Sequence, residues 1–156
     1  MEKREADKNS PFKRQKYGDG YYFITSDGEV NIFTDFALGC DSIHHNIANY
    51  CTDKELLKQR ALEEILARRL WRYSMEHGGD KIDWSDDRDK FAIYYDNENG
   101  SFYITNNIEC QIINTAYFVD NKTAINAIKE VIEPFMKEYP GFKSYRTCYA
   151  SDSKGE

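Results

Sequence analysis

Cys40-Asp41-Ser42-Ile43-His44-His45, followed shortly by Cys51, gathers two thiols and two imidazoles in one short interval. Thiolate and imidazole are the ligands of tetrahedral zinc, and a thiolate beside an imidazole base is a nucleophile pair. Structural zinc sites usually present paired C-x2-4-C knuckles. This interval has none, so no metal is expected and the cysteines read as core or loop residues. G-x-S-x-G, G-x-x-x-x-G-K-S/T and H-E-x-x-H are also missing from the chain. Without those signatures, no catalytic residue and no cofactor is assigned, and the protein is expected not to be an enzyme.

A second cluster is acidic: Asp83, Asp86, Asp87 and Asp89 surround Trp84, with Asp80 nearby. Several carboxylates suit a hard cation, but the spacing is not that of a calcium loop, and neither is that of Asp96–Gly100. Asp83, Trp84, Asp86 and Asp87 are instead the candidate partner-binding residues. An aromatic anchor ringed by carboxylates combines burial with steering into an Arg- and Lys-lined channel. The same residues also fit an ordinary solvated loop with Trp84 tucked into the core.

Two further patterns have structural explanations. Asp19-Gly20-Tyr21-Tyr22-Phe23-Ile24-Thr25-Ser26 superficially resembles the base-stacking strand of RNA-recognition motifs. Asp19, Tyr22 and Ser26 stand where that pattern needs a basic residue, a Gly or Ala, and an aromatic, so these tyrosines read as sheet packing. Arg60, Arg68, Arg69 and Arg72 make a basic helix end that complements the macrodipole, with Glu64 placed to pair with Arg68.

The elements that carry these residues follow from periodicity and turn chemistry. Gly20–Thr25 and Glu29–Thr34 are β-prone runs around Ser26-Asp27-Gly28, which gives a first hairpin. Phe36–Tyr50 is mixed and reads as loop with a helical turn around Ser42–Ile47. Thr52-Asp53-Lys54-Glu55 has capping-box spacing. It opens a long helix with Leu57, Ala61, Leu62, Ile65, Leu66 and Tyr73 on one face, closed by His77-Gly78-Gly79. Phe91–Tyr95 and Ser101–Thr105 flank Asp96–Gly100 as a second hairpin. Glu109–Ile113 and Ala116–Val119 read as one more strand. Asp120 then caps a helix carrying Ala124, Ile125, Ile128, Val131, Ile132 and Phe135, which Pro134 should kink or end. Phe142–Tyr149 reads as a last strand.

The fold class expected is therefore α+β: two β-hairpin-plus-helix units forming antiparallel sheet packed by two main helices. The order repeats, with Gly28 answering to Gly100, Asp53 to Asp120, and Leu57, Ala61 and Ile65 to Ala124, Ile128 and Ile132. The organisation expected is a flexible basic arm over 1–16, a single domain over 17–150 with repeats 17–79 and 90–139, and a polar tail over 151–156.

Composition sets the outer limits. The chain has 156 residues, 40% hydrophobic and 15% aromatic, which suits one globular domain and not a disordered chain. Its charge, 21 − 27 = −6, argues against general phosphate-backbone binding. Residues 1–16 hold six basic and three acidic side chains, so this arm is +3 and the remainder −9. The basic arm and the strand tyrosines support an alternative, a nucleic-acid-binding accessory factor. No run is long and apolar enough for a membrane span, and Met1-Glu2-Lys3-Arg4-Glu5 lacks the apolar segment of a secretory signal. The expectation is a cytoplasmic protein with no membrane partner and reduced cysteines.

Lys13–Val30, with its Tyr-Gly-Asp-Gly-Tyr-Tyr-Phe-Ile strand and Asp-Gly-Glu-Val turn, resembles a group of small uncharacterised proteins of Firmicutes phages and prophages. Asn49-Tyr50-Cys51-Thr52-Asp53-Lys54-Glu55 is similar to that group's lead into a Lys- and Glu-rich helix. Ile82-Asp83-Trp84 before Tyr94-Tyr95-Asp96 resembles its central loop and strand. The likeness spans roughly residues 13–139 through short motifs. This chain carries Ala48 where the group often has glycine and Cys51 where it often has phenylalanine. The resemblance implies an accessory phage protein in the cytoplasm of a bacterial host, a class that includes anti-CRISPR inhibitors. The partner it implies is a larger host protein, such as a CRISPR or other nucleic-acid-handling effector.

Overall fold

The computed structural model describes residues 10–96, 98–106 and 111–143. It is an α+β fold with two separate two-stranded antiparallel sheets, each formed by one hairpin. β1 (Gly20–Ile24) pairs with β2 (Val30–Thr34), and β3 (Ala92–Asp96) pairs with β4 (Ser101–Thr105). Both turns need a left-handed residue, and glycine supplies it: φ is 89° at Gly28 and 64° at Gly100. The Gly28 amide donates to the Thr25 carbonyl at 2.9 Å. In the second turn the Asp96 carboxylate accepts from the Glu98 and Asn99 amides at 2.9 and 3.2 Å.

The chain divides into two compact units, Met1–Leu62 and Glu63–Glu156, with the boundary inside a long helix. In the first unit, α1 (Gly39–Asn46) occupies the interval read from sequence as loop with one turn. α2 (Lys54–Glu76) follows, and its cap differs from the expected box. Asp53 is the capping side chain, accepting from the Leu56 amide at 3.0 Å. Thr52 instead spends both its amide and its hydroxyl on the Pro11 carbonyl, at 2.9 and 3.3 Å. The Thr52–Glu55 box is therefore not formed, because the helix starts one residue later than the box requires and Asp53 takes the N-cap position, its carbonyl accepting from the Leu57 amide at 3.2 Å. Leu57 and Ala61 are buried, while Leu62, Ile65 and Leu66 of the same expected face are only half-buried.

In the second unit, α2 ends through Gly78 at φ 92° and leads into a 3-10 turn (Gly79–Lys81). α3 (Asn121–Ala127) begins at Asp120, whose carboxylate accepts from the Thr123 amide at 2.7 Å. A π-helical turn (Ile128–Ile132) then joins it to α4 (Glu133–Glu138). Pro134 thus does not end the helix. The wider turn before it accommodates a residue that has no amide proton and whose ring crowds the preceding turn. The core joins Tyr73, Phe118, Ala124 and Ala127, with Leu70, Phe91, Ile93, Ile104 and Val131 packed on it. Ile125 is exposed and Ala127 takes its expected place in the core.

The expected third strand is not formed among the described residues. Gln111–Asn114 is irregular, and Phe118 makes a single bridge to Phe91, with amides at 2.8 and 3.1 Å. Glu109 and Cys110 lie outside the described residues, as do Cys148 and all but the first two residues of the expected strand Phe142–Tyr149. The two hairpins, the two Asp caps and the two following helices keep the order of the proposed repeat. The unit boundary does not coincide with the repeat boundary, because Tyr73 near the end of α2 belongs to the second core.

One packing constraint is testable. A Cβ on Gly79 would lie 2.8 Å from the Ser74 carbonyl oxygen, which is backbone and cannot swing away, whereas one on Gly39 meets nothing within 4 Å. Gly79→Ala should lower stability by about 1–3 kcal/mol in chemical denaturation. Gly39→Ala, on the first turn of α1, should leave it unchanged or raise it by under about 1 kcal/mol.

Candidate functional site

Two places hold concentrations of polar chemistry, one in each unit. In the first unit, Asp35 and Asp41 are buried carboxylates. Asp35 follows β2 and accepts from Arg14 Nε at 3.2 Å, the Tyr50 hydroxyl at 2.9 Å and the Ala37 amide at 2.8 Å. Burial by itself pushes the Asp35 pKa up, but these donors together outweigh it and hold the carboxyl below its ordinary range. Asp41, in the first turn of α1, accepts from the Phe36 and Leu38 amides at 3.1 and 2.8 Å and from the Tyr21 hydroxyl at 2.9 Å. Tyr21 and Tyr50 stack at 3.9 Å, which joins the two carboxylate networks.

His44 Nδ1 lies 2.8 Å from the Tyr21 oxygen. The Tyr21 hydroxyl has one proton, and the carboxylate can only accept, so that proton is assigned to Asp41 and His44 Nδ1–H donates to Tyr21. A Tyr–Asp–His set could do acid–base work if a substrate reached it. Tyr21, however, is 0% exposed, and burial followed by the Asp41 hydrogen bond pushes its pKa well up. Tyr50 is pushed up to about 12, chiefly by burial. The arrangement is a structural one.

The two thiols sit in different surroundings. Cys51 is buried and exchanges contacts with the Asp53 backbone at 3.4 Å, and burial raises its pKa. Cys40 is exposed beside Asp41, His44 stacks on Phe23 at 4.6 Å, and His45 lies edge-on to Tyr50. Among the described residues no group of three or more His, Cys, Asp or Glu side chains is placed to hold a metal ion. Tyr21 is not offered to a nucleic-acid base. Residues 10–16, the described part of the expected arm, are tied down through Arg14 and by the Gln15 amide donating to Tyr50 at 2.8 Å. Lys3, Arg4 and Lys8 lie outside the described residues.

In the second unit, the acidic loop is organised from within. Lys90 is buried, and its ammonium donates to the Asp86 carbonyl at 2.6 Å and the Asp86 carboxylate at 2.9 Å, lying 5.8 Å from the Trp84 ring. Arg88 donates to the other Asp86 oxygen at 2.6 Å. Arg88 first, then Lys90, lower the Asp86 pKa to about 2. Asp86 is thus an internal brace and not a free carboxylate. Asp83 is exposed and holds the Ser85 amide and hydroxyl at 2.8 and 2.6 Å, and Asp87 is exposed. Trp84 is half-buried, edge-on to Tyr117 at 4.8 Å.

Tyr117 brings in residues that sequence reasoning passed over. Its hydroxyl accepts from the Ile112 amide, so the ring that meets Trp84 also ties down the turn Ile112–Thr115, and Ile113 at that turn is 90% exposed. The sequence carries no signal for this surface: the exposure of Ile113 and the left-handed Asn114, φ 62°, emerge only in the folded turn. No family model, curated protein or solved structure matches the chain. No helix among the described residues is long and apolar enough to cross a membrane.

The Asp35 network makes two predictions. Tyr50→Phe removes a donor from a buried carboxylate and orphans the Gln15 amide, and should cost about 1–3 kcal/mol at neutral pH. Because the folded pKa of Asp35 is depressed, its stabilisation is complete above the unfolded carboxyl value of about 3.9 and is lost as pH falls through the folded value. Denaturation midpoints measured down an acid series should fall for the wild type, and less steeply for Tyr50→Phe.

Proposed function

We propose that the protein is a non-enzymatic phage accessory protein that binds and inhibits a larger host protein, a nucleic-acid-handling defence effector of the CRISPR kind, in the bacterial cytoplasm. The observation that carries this reading is the composite surface of the second unit. Exposed Asp83 and Asp87 sit on the Trp84 loop, and Tyr117 joins that loop to the turn bearing Ile113. Isolated exposed apolar residues are ordinary, but an isoleucine and an indole flanked by carboxylates suit a basic groove with an apolar floor. Charge supports it: residues 63–156 carry 12 Lys and Arg against 17 Asp and Glu, so five of the six net negative charges lie there. A basic channel would be met by the field of this unit.

Within the four expected contact residues the roles divide. Asp83, Asp87 and the open edge of Trp84 face the partner, while Asp86 keeps the loop in shape by holding Lys90. The reading draws on the likeness to phage accessory proteins for the kind of partner and on the surface for the contact.

Affinity capture from lysate of a bacterial host, read by mass spectrometry, should recover one large nucleic-acid-binding protein. Ile113→Asp combined with Asp87→Lys should lose it with an unchanged circular dichroism spectrum. Asp86→Ala should also weaken capture, but with loss of thermal stability. Recovery of nucleic acid or small ligands alone would contradict the proposal.

A further inference from the structure

The first hairpin has one sealed edge and one open edge. On β1, Tyr22 exchanges both backbone bonds with Cys51, at 2.7 and 3.0 Å. The Asn49 side-chain amide then accepts from the Ile24 amide at 2.6 Å and donates to its carbonyl at 2.8 Å, mimicking the next residue of a strand. These bonds point away from β2, so Tyr22↔Ile32 and Ile24↔Val30 are the non-hydrogen-bonded pairs of the ladder. By the same alternation the amides and carbonyls of Val30, Ile32 and Thr34 point outward from β2, and none has a backbone partner among the described residues.

Natural edges are usually blunted by lysine, proline, a bulge or a covering element. β2 reads Val-Asn-Ile-Phe-Thr, without charge or proline, and pairs with β1 in unbroken register. Ile32 is 65% exposed and Phe33 41%. The outer strand of the other hairpin differs, because Phe102 and Ile104 on β4 are half-buried and α3 packs beside it.

We propose that β2 pairs with β2 of a second copy of this chain, antiparallel and centred on Ile32, to make a four-stranded sheet about a twofold axis. In that register Ile32 lies opposite its own copy and Val30 opposite Thr34, and each of these pairs exchanges both backbone bonds. A strand without charge meets itself without like-charge repulsion. Residues 10–62 as a whole carry six Lys and Arg against seven Asp and Glu, so two nearly neutral bodies meet although the chain is at −6. Assembly also stops at two, because the outer edge of each β1 is already filled by Cys51 and Asn49. The sheet so formed passes the size at which strands become stable in water, whereas a two-stranded hairpin alone is marginal. This surface belongs to the first unit, so the proposal stands or falls independently of the partner contact in the second.

Sedimentation of the full chain over a concentration series should show a reversible monomer–dimer equilibrium in the weak range of small interfaces. Ile32→Lys, which places two ammonium groups opposite each other, should shift it to monomer with an unchanged circular dichroism spectrum. Register is read by cross-linking in a Cys40→Ser background. Ile32→Cys should give a disulfide between its own copies, since paired residues in this register lie about 5.5 Å apart at Cα. Val30→Cys should cross-link to Thr34→Cys and not to itself. A chain that stays monomeric at all concentrations, a dimer that survives Ile32→Lys, open-ended aggregates, or uptake of a foreign strand by a monomeric chain would each overturn the proposal.

Discussion

Two buried carboxylates organise the first unit. A buried Asp is tolerable only when its lone pairs are filled, and Asp35 and Asp41 fill theirs with donors drawn from well-separated parts of the chain. Asp35 collects Arg14, Ala37 and Tyr50; Asp41 collects Tyr21, Phe36 and Leu38. These bonds fix the start of α1, the descent from β2 and the stacked pair Tyr21–Tyr50 in a single stroke. They also hold Ala37 at φ 57°, a conformation alanine does not choose unaided. The segment from Asn49 to Cys51, held from the same side by Tyr50, is then in place to seal the edge of β1, and β2 is left as the open strand.

The second unit solves a similar problem with a cation. Lys90 is buried by the loop that precedes it, and Asp86 supplies both a carbonyl and a carboxylate to its ammonium. That demand shapes the acidic loop. It leaves Asp83 and Asp87 outward and turns Trp84 toward Tyr117. A loop rigidified from within offers a partner a surface that costs little further ordering entropy on binding.

Local chemistry made much of the fold legible in the sequence. Ser26-Asp27-Gly28 and the run ending at Gly100 state their turns, Asp120 states its cap, and the periodicity of Leu57, Ala61 and Tyr73 states α2. The misses came where helix register or a distant contact decided what local spacing left open. Thr52 has the spacing of a cap, but α2 starts at Lys54 and Asp53 caps it. Ile125 fits the apolar face of an unbroken helix, but Ala127 holds that position in the core. Asp41 and Asp35 look like surface acids until Tyr21 and Tyr50 are brought over them, and no spacing rule links residues 20 and 15 positions apart. At the candidate contact the loop was visible as a cluster of charge around an indole. The division into an internal brace and outward carboxylates was not, because it depends on Lys90 being buried.

The central claim, that the buried carboxylates hold the first unit in this form with one hairpin edge closed and the other open, is tested most directly by amide hydrogen exchange at dilution. The account predicts protection at the Phe36 and Leu38 amides, which a loop bonded only to water would not show, together with Tyr22 and Ile24 on the sealed edge. It predicts fast exchange at Val30, Ile32 and Thr34. Fast exchange at Phe36 and Leu38, or equal protection on the two edges of the hairpin, would contradict it.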